Sequence, residues 1–249
     1  MNRAALRWLG VAAAAAALSA LVAQSPRLLR RLEYFAVDQV EVTGTRYLAP
    51  EAALSISGIA APANVFDDPE PWRQALLAHP LVADARIERR LPGTIILRIT
   101  ETEPVALART PELMPVDATA RVLPIDPAAQ SIDLPVLNVA SAVGDDGRLA
   151  EPAAISMLAA YERIRRFEPA LAARVSEILP AHGGGLRLLL SDPPLAEVLL
   201  PADFGAIGLR QVQLALSDLG ARDELPRVRR IDVRFRDQVV VSLSQRPNR

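Results

Sequence analysis

No cysteine occurs among the 249 residues, which excludes disulfides, thiolate metal sites and a cysteine nucleophile. An exported chain of this composition must be held by its core alone. Lysine is absent as well: all 28 basic residues are arginine, and 29 acidic residues leave a formal net charge of −1. That balance gives no electrostatic basis for binding nucleic acid. Aromatic residues make up 4% against 51% hydrophobic, so the apolar excess is alanine, leucine and valine.

Chemistry-bearing residues are equally sparse. The 2 histidines are His79 and His182. His79 precedes a proline at a helix end, where a capping or packing role is expected, and His182 has no partner at metal-ligand spacing. Gly183-Gly184-Gly185 lacks the lysine and hydroxyl residue of a phosphate-binding loop and reads as a turn. Gly205 and Gly208 do not complete a dinucleotide fingerprint. Asp67-Asp68, Asp145-Asp146 and Asp223-Glu224 fall in polar, turn-like stretches without the spacing of a calcium loop. Ser156 and Ser191 lack a nucleophile-elbow context. The expectation is a protein without catalytic residues, metal, cofactor or small-molecule substrate.

What is present begins at the N-terminus. From Trp8 to Pro26 no residue is charged, and Arg7 and Arg27 bracket the stretch. As a helix it would span roughly 29 Å, against about 30 Å for a bilayer core. Three readings fit: an uncleaved signal anchor, a cleaved signal peptide and a buried helix. The first is favoured, because Leu21 would occupy the −3 position of a cleavage after Ala23, where a small residue is needed. Flanking arginines are nearly balanced, but a short tail stays inside and a long following domain translocates regardless of charge. The expected layout is a cytoplasmic tail at 1–7, a single transmembrane anchor at 8–26 and an extracytoplasmic bulk.

Beyond the anchor, Tyr34 to Thr43 alternates as a strand that Gly44 ends. Pro50 to Ser57 reads as a helix stopped by Gly58, and Glu70 to Ala78 as another, with Asp68 as its N-cap. Val82 to Leu91 and Thr94 to Thr100 form a hairpin around Leu91-Pro92-Gly93. Short apolar runs separated by proline and aspartate follow. Helices are predicted at Pro152 to Phe167, with Ile155, Leu158, Ala159 and Ile164 inward, and at Ile207 to Leu219. Strands are predicted at Ala173 to Leu179, Leu186 to Leu190, Ala196 to Leu200, Arg227 to Phe235 and Gln238 to Leu243. The last could be an open sheet edge or an ordinary strand with its edge covered, and the residues alone leave both open.

Four fragments in order resemble the POTRA module (polypeptide-transport-associated domain). They are Val37-Asp38-Gln39-Val40-Glu41-Val42-Thr43-Gly44, His79-Pro80-Leu81-Val82-Ala83-Asp84-Ala85-Arg86-Ile87, Arg90-Leu91-Pro92-Gly93-Thr94-Ile95 and Glu101-Thr102-Glu103-Pro104-Val105-Ala106. Val116-Asp117-Ala118-Thr119-Ala120-Arg121-Val122-Leu123 is similar to a hairpin that follows this module, with Ala120 standing where the pattern has glycine. Arg230-Ile231-Asp232-Val233-Arg234-Phe235 and its following strand are similar to the end of the β domain of FtsQ/DivIB cell-division proteins.

The resemblance implies an α+β fold: a transmembrane helix, a βααββ POTRA domain at 35–106, a β-rich domain with two helices at 107–244 and a disordered tail at 245–249. It further implies a single-pass inner-membrane protein at the division septum, a non-catalytic scaffold linking early to late division proteins. The implied partners are FtsB/DivIC-type and FtsL-type proteins, docked on the terminal strand through Phe235, Asp237, Val239, Val241 and Leu243. Arg229, Arg234 and Arg236 would attract acidic partner groups at the rim. The rival reading is a POTRA-containing periplasmic transport or assembly adaptor.

Overall fold

The computed structural model describes residues 32–193, 195–235 and 238–244. The expected tail at 1–7, the anchor at 8–26 and the tail at 245–249 lie outside these residues, as do Arg236 and Asp237. Among the described residues no helix is long and apolar enough to cross a membrane. Two units divide between Thr102 and Glu103, four positions before the end expected for the first module.

The first unit contains β1 (Gln39–Thr43), α1 (Pro50–Ser57), α2 (Glu70–Leu77), β2 (Val82–Arg90) and β3 (Thr94–Glu101). Strand β1 is shorter than the alternation predicted. Its expected start is instead a 3-10 turn at Glu33–Phe35, where Phe35 meets the Phe66 ring edge-on at 5.0 Å. Pro50 opens α1, and Gly58 closes it at φ 69°, a left-handed position that glycine adopts without a Cβ penalty. Pro69, not Asp68, occupies the cap of α2. The Asp68 carboxylate still serves that end, accepting the Glu70 N–H at 3.1 Å.

Strand order is β1-β3-β2, with β1 parallel to β3 and β2 antiparallel to it. Central β3 buries Ile95, Leu97 and Ile99, and Leu76 of α2 is fully buried as well. Arg73 fixes α2 to the sheet by donating to the Ala85 carbonyl at 3.0 Å. At the far end of β3 the Glu101 carboxylate accepts the N–H groups of Tyr47 at 2.9 Å and Leu48 at 2.8 Å. That gives the first residue of the Glu-x-x-Pro motif a structural task, since it satisfies loop donors that would otherwise lack partners.

The second unit is built on an eight-stranded mixed sheet in the order β11-β10-β9-β8-β7-β6-β4-β5. Its strands are β4 (Ala106–Thr110), β5 (Glu112–Val116), β6 (Val136–Ala140), β7 (Val175–Pro180), β8 (Leu186–Leu190), β9 (Glu197–Leu200), β10 (Val228–Asp232) and β11 (Val240–Leu243). Two long helices, α3 (Pro152–Phe167) and α4 (Ala206–Ala221), add Met157, Leu158, Tyr161 and Ile164, and Leu209, Val212, Leu216 and Leu219, to its core. These meet Leu137, Ile178, Leu188, Val198 and Ile231 of the sheet in one hydrophobic cluster.

The inward face of α3 differs from the one predicted. Leu158 and Ile164 are buried as expected, but Ile155 is 41% exposed and Ala159 faces solvent. Ala154, Met157 and Tyr161 take the core positions instead. The helix carries alanine on both faces, so composition leaves its phase open, and packing of the bulkier Met157 and Tyr161 decides it. In the loop after β5, Ala120 holds φ 65° where the resembled pattern has glycine. Asp117 supports that turn by accepting the N–H groups of Thr119 at 2.8 Å and Arg121 at 2.9 Å.

Candidate functional site

Among the described residues, both edges of the eight-stranded sheet carry backbone groups that no further strand satisfies, and the two are treated differently by the sequence. Edge strand β5 contains Pro115, which has no N–H to offer. Its flank is also occupied, because Leu123 donates to the Pro115 carbonyl at 2.8 Å and Val122 bridges Val116. Strand β11 pairs with β10 on one side, and among the described residues no strand or loop pairs with its other side. The terminal strand thus lies at the edge of the sheet.

Register fixes what that edge presents. Val240 lies opposite Asp232, Val241 opposite Ile231 and Ser242 opposite Arg230. The Ser244 N–H donates to the Arg227 carbonyl at 2.7 Å. Main-chain groups alternate sides along a strand, so Ser242 and Val240 also turn toward β10, and the N–H and C=O of Val241 and Leu243 point outward.

Side chains alternate in the perpendicular direction. Val239, Val241 and Leu243 are half-buried and pack on the core, whereas Gln238, Val240 and Ser242 are exposed. Of the residues expected to meet a partner, the three aliphatic ones therefore offer backbone rather than protruding side chains. Phe235 is 46% exposed. Asp237 and Arg236 lie outside the described residues.

The arginines have distinct surroundings. Arg234 grips Asp232 with two bonds, Nε to Oδ1 at 2.9 Å and Nη2 to Oδ2 at 2.6 Å. This bidentate pairing holds the Asp232 carboxyl below the usual carboxylate range, with the hydrogen bond from Arg234 as the main cause. Much of the Arg234 charge is thus already engaged. Arg229 is exposed and lines a shallow depression of about 270 Å³ with Leu195, Glu197, Arg230 and Ser242. Across that face, Glu197 is bracketed by Arg230 at 2.9 Å and Arg187 at 3.6 Å.

Val240, Leu195 and Arg230 join this edge without having been expected there. The expected alternation, with Val239, Val241 and Leu243 inward, leaves Val240 on the opposite, exposed face. Leu195, 70% exposed, sits in a proline turn whose neighbours in space cannot be read from its neighbours in sequence.

Other candidate groups resolve as structural. His79 Nδ1 accepts the Leu81 N–H at 3.3 Å, a local cap at the end of α2. Asp67 accepts the Asn64 N–H at 2.8 Å, and Asp146 the Arg148 N–H at 3.1 Å. Among the described residues no three histidine, aspartate or glutamate side chains gather as metal ligands.

A βααββ unit followed by a unit built on a mixed eight-stranded sheet defines a two-unit, POTRA-bearing protein. Residues 35–102 match the family model described as POTRA domain, FtsQ-type. Three relatives are cell division proteins FtsQ. That of Syntrophotalea carbinolica is 27% identical over 45% of this chain and 40% of its own length. That of Thioalkalivibrio sp. (strain K90mix) is 28% identical over 86% of this chain and 83% of its own length. That of Myxococcus fulvus is 25% identical over 81% and 71%. The first unit thus carries an FtsQ-type POTRA domain, and the chain is similar to FtsQ cell division proteins over as much as 86% of its length.

Proposed function

We propose that the protein is a divisome scaffold, and that it recruits an FtsB/DivIC-type partner, travelling with an FtsL-type protein, by strand addition to β11. The supporting observation is the inequality of the sheet edges: β5 is blocked by Pro115 and its own loop, whereas among the described residues nothing pairs with the outer side of β11. An incoming strand would bond the outward main-chain groups of Val241 and Leu243, which is how edge strands capture extended peptides. Phe235 and Val240 would supply apolar contacts beside it, and Arg229 would meet acidic groups at the rim. On this reading the segment at 8–26 anchors the chain in the inner membrane as a single pass, and the scaffold acts at the septum between early and late division proteins.

Val241→Pro tests the mechanism. It removes an outward N–H while leaving the bonds to β10 in place. Capture of the partner's C-terminal segment should weaken at least about tenfold, close to the loss of one or two hydrogen bonds. The melting temperature should change little, since proline nearly matches valine in size. Undiminished capture by a folded Val241→Pro protein would refute strand addition. Truncation before Gln238 should abolish capture and leave the first unit folded.

A further inference from the structure

Among the described residues of the first unit, three large apolar side chains are exposed: Leu32 at 50%, Tyr34 at 73% and Leu91 at 58%. They are far apart in sequence, yet they share one end of the unit. The hairpin turn after β2 packs on the segment leading into β1, where Asp38 and Gln39 donate to the Gly93 carbonyl at 3.0 and 3.4 Å. A Cβ on Gly93 would lie 2.7 Å from the Ala36 carbonyl oxygen, so the two segments touch closely there. This is also the end at which the chain enters. Only five residues lie between Pro26 and Leu32, six backbone steps with a reach of at most about 21 Å.

We propose that Leu32, Tyr34 and the Leu91-Pro92 hairpin tip rest on the lipid surface, at the boundary of headgroups and acyl chains. The inference rests on the reading of residues 8–26 as a membrane span. Continuity with that span commits the patch to lipid rather than to a protein partner. Exposed tyrosine and leucine are the residues such a boundary favours, the ring lying in the apolar layer and the hydroxyl in the headgroups. Charge limits the depth. Glu33 and Asp38 are exposed at the same end, and Arg90 is neutralised by Glu41 at 2.7 Å. Contact is therefore shallow and driven by apolar area, not by attraction to anionic lipid.

The absence of cysteine makes the test direct, because one introduced cysteine is the only site of labelling. Full-length Leu32→Cys, Leu91→Cys, Ala83→Cys and Ala15→Cys proteins would each carry an environment-sensitive fluorophore in phosphatidylcholine–phosphatidylglycerol nanodiscs. Ala83 is exposed at the other end of β2, roughly 23 Å from Arg90 at about 3.3 Å per residue. Nitroxide-bearing lipids should quench labels at 32 and 91 at least fivefold more than the label at 83. If 15 is quenched and 91 behaves like 83, the surface contact is overturned and the span survives. No quenching at 15 overturns the span reading and the contact with it. A blue shift at 91 without quenching would mean that protein covers the patch, which also overturns the proposal.

Discussion

Gly44 closes β1 at φ 85°, and a Cβ there would press on the Ile99 carbonyl oxygen of the neighbouring strand. Both the backbone region and the space demand glycine. Gly44→Ala should destabilise the first unit by about 3 kcal/mol or more, measured by urea unfolding. Asp232 makes a different kind of prediction. Its folded pKa is lowered, so the Arg234 pairing stabilises the fold above the unfolded value of about 3.9 and ceases to do so as pH falls through the lower folded value. Arg234→Gln should raise the Asp232 pKa, followed by NMR titration. The variant's stability deficit should be present at pH 7 and shrink as pH falls through the lowered folded pKa of Asp232.

Elements were legible in the sequence to different degrees. The hairpin of the first unit could be read because alternation, proline and glycine coincide at Leu91-Pro92-Gly93, and α1, α3 and β8 have the expected bounds. Chain ends of elements were less so: the 3-10 turn at Glu33–Phe35 depends on Phe35 meeting Phe66, a contact between residues 31 positions apart. The phase of α3 was hidden by alanine, and its correction is measurable. Ile164→Ala, at a fully buried site, should cost roughly 2–5 kcal/mol. Ile155→Ala should stay within about 0.5 kcal/mol. Equal losses would restore the predicted face. At the candidate site, the position of the terminal strand could be anticipated but not its openness, because an edge is defined by what fails to pair with it across the whole sheet.

At the scale of the molecule, each unit has its own interior: the larger hydrophobic cluster draws only on residues from Val105 onward. A fragment of residues 32–102 should therefore fold alone, with a cooperative thermal transition and dispersed amide NMR signals. The outer side of β11, unpaired among the described residues, carries a further consequence for the free protein. A strand that accepts one chain can accept another copy of itself, and unprotected edges promote self-association. Here the approach would bring exposed Arg229 and Arg230 of one copy toward those of the next. That repulsion would weaken pairing between like molecules while leaving a partner with acidic flanks unhindered. Raising the ionic strength screens it, so salt should make the uncomplexed protein more prone to aggregate.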